Sequence, residues 1–145
     1  MIDKFKPYEE LLRSSGLKPT KQRLSICKIL FDRRETFHFT IYKLRRIIEK
    51  TSKKRISLAT LYNTVNAFKD RGYLKEISLK GNQTFFDTNT KKHHHFFDED
   101  TSRLIDIKNE SLLINNLPKT PKGKKIREID VTIRIASNNQ IHNKR

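Results

Sequence analysis

At Gly72 the apolar period of this chain changes from helical to alternating, and that switch restricts the possible folds more than any other feature. Upstream, apolar residues recur at helical spacing in stretches that each open on a capping hydroxyl. Downstream, Tyr73 to Leu79 and Gln83 to Asp87 alternate on either side of Lys-Gly-Asn, which reads as two strands joined by a turn. Tyr8 to Ser14 forms a short first helix that Gly16 stops. Thr20 caps a second helix running to about Arg33, with Leu24, Cys27 and Phe31 inward and Leu30 widening that side. Thr40 caps a third, with Leu44, Ile47 and Ile48 inward and Lys43, Arg45 and Arg46 outward. Ser57 caps the fourth, SLATLYNTVNAFKDRG, and Gly72 takes the position after its end. Leu58, Leu61, Val65 and Phe68 form its apolar side, while Ala59, Tyr62, Asn63, Asn66 and Lys69 face outward. Three helices followed by a two-stranded hairpin is the order of a winged helix-turn-helix.

The rest of the chain has a different character. His93–Phe97, Arg103–Ile107 and Glu128–Ile135 read as strands, and Glu110–Leu117 as a short helix. Ile129, Val131, Ile133 and Ile135 alternate, which predicts one buried face. This half holds too little apolar mass for a core of its own, so a second copy is expected to cover it. The expected class is therefore α+β: an N-terminal winged helix-turn-helix domain (1–88), a small α/β dimerisation and ligand-sensing domain (89–137), and a polar tail (138–145).

Of the 145 residues, 32 are Lys or Arg and 16 are Asp or Glu, a net charge of +16. Residues 1–80 carry 20 bases and 8 acids, net +12, whereas 81–145 carry 12 and 8, net +4. A basic half joined to a nearly balanced half suggests a polyanion-binding part and a part with other work. No apolar run approaches the roughly 20 residues of a membrane span. The start, MIDKFKPYEE, lacks the apolar stretch of a secretory signal, and one cysteine forms no internal disulfide, so the expected address is the cytoplasm.

A helix that enters the major groove needs a packed back and a front of short polar groups near its N-terminus. In SLATLYNT, Ser57 and Thr60 reach phosphates, Ala59 and Tyr62 touch thymine methyls, and Asn63 pairs with adenine. Lys18, Lys21, Arg23, Lys53, Lys54 and Arg55 supply the salt-dependent phosphate attraction. An amphipathic surface helix is the plainer alternative, but the preceding helices, the hairpin and the local charge favour double-stranded DNA.

His93, His94 and His95 follow the hairpin. On a strand, His93 and His95 share one face and His94 takes the other. His38, before the third helix, and Asp87, ending the hairpin, can fold towards His93 and His95, and such a donor set suits Fe2+, Mn2+ or Zn2+. Imidazole also ligates haem iron. A solvated polar loop is the alternative. Cys27, followed by Lys28 on a helix face, reads as core.

GLKPTKQR, SLATLYNTVNAFKDRGYL, GNQTFFDTN and then a histidine cluster resemble the ferric uptake regulator family of metal-responsive repressors, over about residues 8–135. The resemblance implies that Tyr62 contacts a base, that Asn63 stands where arginine is frequent, and that Lys18 reaches towards the minor groove. It also implies a metal site of His38, Asp87, His93, His95 and Asp106; either His93 and His95 ligate, or His94 takes a share. Many members continue with a CxxC that holds a structural zinc. Here that stretch is Asp-Glu-Asp-Thr, 98–101, so no such zinc is expected. With that loss, the triple histidine is similar to the iron response regulator branch. The branch implies a homodimeric regulator of haem-synthesis and iron-homeostasis genes that reads an AT-rich, roughly palindromic operator, with haem held by His93, His94 and His95 weakening DNA binding. The nearest alternative is an Fe- or Mn-responsive repressor or a peroxide sensor of the same family, with a divalent metal as corepressor. An enzyme is not expected: there is no Ser-His-Asp or Cys-His spacing, no phosphate-cradling loop, and only four glycines.

Overall fold

A computed structural model describes residues 4–138, and the chain divides after Thr90 into two compact units. The first opens with α1 (Lys6–Ser14), α2 (Lys21–Phe31), the two-residue strand β1 (His38–Phe39), α3 (Ile41–Ser52) and α4 (Leu58–Asp70). It closes with β2 (Lys75–Ser78) and β3 (Thr84–Asp87). The three capping hydroxyls act as the sequence predicts. Thr20 accepts from the Arg23 amide at 3.2 Å, Thr40 from Lys43 at 3.1 Å and Ser57 from Thr60 at 3.1 Å, each satisfying an amide with no partner inside its helix. Gly72 ends α4 at φ +81°, where the Tyr73 amide reaches back to the Phe68 carbonyl at 2.9 Å. A side chain at that φ is strained, so glycine fits the reversal.

The core of this unit gathers Leu12, Ile26, Cys27, Leu30, Leu44, Leu61, Val65 and Phe68. Leu24 and Phe31, expected on the inner side of α2, are only partly buried, and Ile26 takes the inner position instead. Phe39 stacks between Phe37 and Phe86 at centroid distances of 5.5 and 5.6 Å, fastening the sheet to the helices. Burying each such ring contributes about 1.5–3 kcal/mol. The sheet order is β1-β3-β2, antiparallel throughout, with His38 opposite Asp87 and Phe39 opposite Phe86. Strand β1 was not legible as a strand, because two residues carry no period. Thr88 stays with this unit through a pair of bonds to Phe37.

The second unit is a three-stranded sheet of order β5-β4-β6, from β4 (His93–Asp98), β5 (Arg103–Lys108) and β6 (Thr132–Ile135). β4 and β5 form an antiparallel hairpin, and β6 runs parallel to β4. The helix expected over Glu110–Leu117 is absent: a single 3-10 turn covers Asn109–Ser111 and extended chain follows. Leu112, Leu113 and Ile114 stand consecutively rather than at helical spacing, Asn116 is left-handed at φ 58°, and Pro118 follows. The last strand is shorter than 128–135. Ile129, Val131 and Ile135 are half-buried and Ile133 is exposed, so the alternating face is not covered within one chain. Of the expected tail, only Asn138 is described; 139–145 lie outside the described residues.

Candidate metal centre and nucleic-acid interface

The hydrogen-bond register of each sheet decides which donors meet. In the first unit the β1–β3 pairing sets His38 across from Asp87, and His38 Nε2 lies 3.2 Å from Asp87 Oδ2. Asp87 is fully buried, and its Oδ1 accepts from the Asn89 amide at 2.8 Å, which holds the carboxylate towards His38. A buried carboxylate needs such partners, since its desolvation is costly.

In the second unit β4 turns His93 and His95 to one face, where their rings meet edge to face at 4.5 Å between centroids. Asp106 pairs with His95 across the β4–β5 ladder, and its Oδ1 lies 3.4 Å from Nε2 of both histidines. His93 Nδ1 is 2.6 Å from the Lys91 carbonyl, so that nitrogen donates, and Nε2 is the ring nitrogen on the Asp106 side. Two imidazole nitrogens converging on one carboxylate is the donor chemistry that intermediate divalent cations favour.

His94 does something else. It lies on the opposite face of β4, is 2% exposed, and its Nδ1 accepts from the Val131 amide at 3.1 Å. With the His95 amide donating to the Val131 carbonyl at 3.1 Å, this bond starts the β4–β6 pairing. The three adjacent histidines thus split into a pair that faces Asp106 and a third that joins strands. His94 faces away from the pair formed by His93 and His95.

The expected DNA-reading residues gather along α4. Ala59, Tyr62, Asn63 and Asn66 are exposed, Tyr62 at 41%, while Leu61, Thr64, Val65 and Phe68 are buried on the other side. Ser57 Oγ and Thr60 Oγ1 stand 2.8 Å apart at the helix start. Arg23 spends one guanidinium nitrogen on the Lys18 carbonyl at 2.9 Å, so it braces the turn that presents Lys18. Sequence reading passed over Tyr42, which is 62% exposed and lines the same cleft between α4 and the hairpin as Tyr62, Asn66 and Gln83. Its only signal is an aromatic at the second position of a helix, outside the apolar period.

The sequence pattern of the ferric uptake regulator family matches residues 14–135. The ferric uptake regulation protein of Rhizobium leguminosarum bv. viciae is 31% identical over 113 residues, 77% of this chain and 78% of that one. The peroxide-responsive repressor PerR of Staphylococcus aureus (strain Mu50 / ATCC 700699) is 31% identical over 96 residues, 66% of this chain and 63% of that protein, so the match spans under two thirds of its length. In three dimensions the ferric uptake regulator of Vibrio cholerae aligns with a TM-score of 0.67 at 19% identity, covering 90% of this chain and 99% of that one. That of Pseudomonas aeruginosa, solved with manganese, gives 0.61 at 19% identity and covers 90% and 97%. At these identities the structures establish the α+β fold alone. Family members are transcription regulators, not enzymes. A sequence match over most of its length, on this fold, makes the chain a member of the ferric uptake regulator family.

Proposed function

We propose that this chain is a homodimeric transcriptional repressor of iron-homeostasis genes whose grip on DNA is switched by a divalent cation, Fe2+ or Mn2+. The observation that carries the reading is the convergence of His93 and His95 Nε2 on Asp106 Oδ1, each at 3.4 Å. The His38–Asp87 pair at 3.2 Å supplies the complementary donors in the DNA-binding unit. Only residues 88–92 separate Asp87 from His93 in the sequence, which supports assigning both donor pairs to one ion. The nitrogen and carboxylate donors fit Fe2+, Mn2+ or Zn2+, and the bound cation supplies bonds that tie one unit to the other. His38 and Asp87 then transmit the tie through β1 and β3 to the sheet beside α4. A switch of this kind works only if the two arrangements differ in their affinity for the cation.

In this reading Tyr62, Asn63, Ala59 and Asn66 read base edges of an AT-rich operator, and Ser57, Thr60, Lys18 and Arg23 hold phosphates. The apolar stripe of the second unit pairs two copies and so fixes the spacing of their α4 helices. The cell compartment is the cytoplasm, where the DNA is. Haem sensing by the triple histidine finds no support in this geometry, because His94 Nδ1 is committed to Val131.

The test is operator binding by fluorescence anisotropy with Mn2+ or anaerobic Fe2+ added to chelator-treated protein. Wild type is expected to gain at least tenfold in affinity with metal. His93→Ala with His95→Ala retains the weak metal-free binding but loses the gain, whereas Tyr62→Ala loses operator preference at every metal concentration. A Soret band saturating at fixed stoichiometry, with DNA released, would return the haem reading instead.

A further inference from the structure

Helix α2 buries one side in the core and with its flank borders a cleft towards α3. Ile26, Cys27 and Leu30 are buried in the core, while Leu24 and Ile29 stay half-buried on the other flank. Opposite Leu24 and Ile29, α3 offers half-buried Ile47, and the three line a cleft of about 700 Å³ together with Phe5, 43% exposed, and with the charged residues Lys28, Asp32 and Arg33. That volume lies within the ordinary range for small-molecule sites, and the lining is mostly apolar.

The cleft continues into a neighbouring section of about 390 Å³, sharing Lys21, Ser25, Ile48 and Ser52 with it. The charged residues of this section are Lys21, Lys54 and Arg55, with no acid among those that line it. The Ser25 and Ser52 hydroxyls already donate to the Lys21 and Ile48 carbonyls, at 2.9 and 2.8 Å, so the polar side chains offered at this end are the three cations and the Gln22 amide. A trough whose lining is largely apolar, with Asp32 as its one acid beside Lys28 and Arg33, and which runs on to Lys21, Lys54 and Arg55, matches a long alkyl chain bearing a single anionic head.

We propose that this cleft binds a long-chain carboxylate, with the alkyl chain along Leu24, Ile29, Ile47 and Phe5 and the carboxylate at Lys21, Lys54 and Arg55. A guanidinium beside two ammonium groups suits a carboxylate well. Nothing in the site involves His38, Asp87 or the second unit, so it is separate from the metal donors. Lys54 and Arg55 stand three and two residues before Ser57, the cap of α4. A bound carboxylate therefore takes up cations otherwise offered to DNA phosphates, and it lowers DNA affinity whether or not metal is present. That consequence rests on the DNA-binding function proposed above; the binding site does not.

The test uses the full chain without metal or DNA, titrated calorimetrically with sodium laurate below its micellar concentration, and with methyl laurate and dodecylamine as controls. Laurate is expected to saturate at one per chain, with the ester and the amine weaker by about tenfold or more. Lys54→Glu with Arg55→Glu, both exposed and so without effect on folding, removes laurate binding; Leu24→Glu, with its circular dichroism checked, does the same from the apolar end. Absence of saturation, equal binding of all three amphiphiles, or laurate binding indifferent to the double variant would overturn the proposal. So would binding to anionic phospholipid vesicles without binding of monomeric laurate. Because no DNA enters the assay, its failure leaves the repressor reading standing, and failure of operator binding leaves this site standing.

Discussion

Cys27 shows how one side chain fixes what chemistry the molecule leaves out. It is fully buried on the core side of α2, and burial pushes its thiol up to about 12. The thiolate is the form that ligates metals or haem and reacts with electrophiles, so at neutral pH this cysteine does neither. The same shift makes stability depend on alkaline pH. In the unfolded chain the thiol titrates near 9.0, so between there and about 12 the unfolded state gives up a proton that the folded state keeps. Stability therefore falls as pH rises through that window. Comparing urea midpoints at pH 8 and pH 10, wild type is expected to lose on the order of 1 kcal/mol more than Cys27→Ala. An equal loss in both proteins sinks the argument. Burial of Cys27 was legible from its place in the helical period. The fate of His94 was not: alternation put it on the other face, but only the tertiary pairing with Val131 reveals what its ring nitrogen does there.

At the scale of elements, the helices were legible because caps and periods are local. Thr20, Thr40 and Ser57 each bond the amide three residues on, as a capping side chain does, and Gly72 ends α4 by its own φ. Elements that depend on a distant partner were read less well. β1 exists because β3 lies beside it, and β6 spans only the four residues that find β4. The loop between β4 and β5 is closed by Asp98, whose Oδ1 accepts from the Asp100 amide at 2.9 Å and the Thr101 amide at 3.3 Å, so the β4–β5 hairpin turns on a carboxylate. The start of α4 combines a structural and a proposed functional role in Ser57, and the two can be separated. Ser57→Ala removes the acceptor for the Thr60 amide and is expected to cost about 1 kcal/mol in urea denaturation. Ser57→Asp keeps a good cap and favours the positive end of the helix, so stability is retained. The same carboxylate stands where a phosphate is expected, so operator affinity falls further in Ser57→Asp, which adds repulsion, than in Ser57→Ala, which loses only the hydroxyl contact. If both variants bind operator like wild type, α4 does not approach DNA by its N-terminus.

For the molecule as a whole, the decisive feature is that the second unit uses its two sheet faces for different work. Register puts His93, His95 and Asp106 on one face together with Phe97 and Leu104. The other face carries Phe96 flanked by Ile105 on β5 and Ile133 on β6, a stripe that crosses all three strands. Ile105 is 47% and Ile133 36% exposed, and Phe96 is half-buried. Aligned apolar residues left open across a whole sheet mark an interaction surface more strongly than scattered ones do. A unit this small gains the burial it lacks when a second copy covers the stripe, and a twofold axis lets the same stripe meet itself. The alternation of 129–135 announced this face in the sequence, but what the sequence read as a buried face is, within one chain, an open one. Ile133→Asp places a charge at the β6 end of the stripe, beside Phe96, and alters neither the histidines nor α4. By sedimentation velocity the wild type is expected to run as a dimer and the variant as a monomer with unchanged helical content. The monomer keeps salt-dependent binding to any duplex through the +12 of its first 80 residues. It loses preference for a palindromic operator, because that preference depends on two α4 helices held one helical turn of DNA apart or a multiple of it. A monomeric Ile133→Asp that still prefers the palindrome would mean that half-sites are read independently, and the second unit would then serve the metal alone.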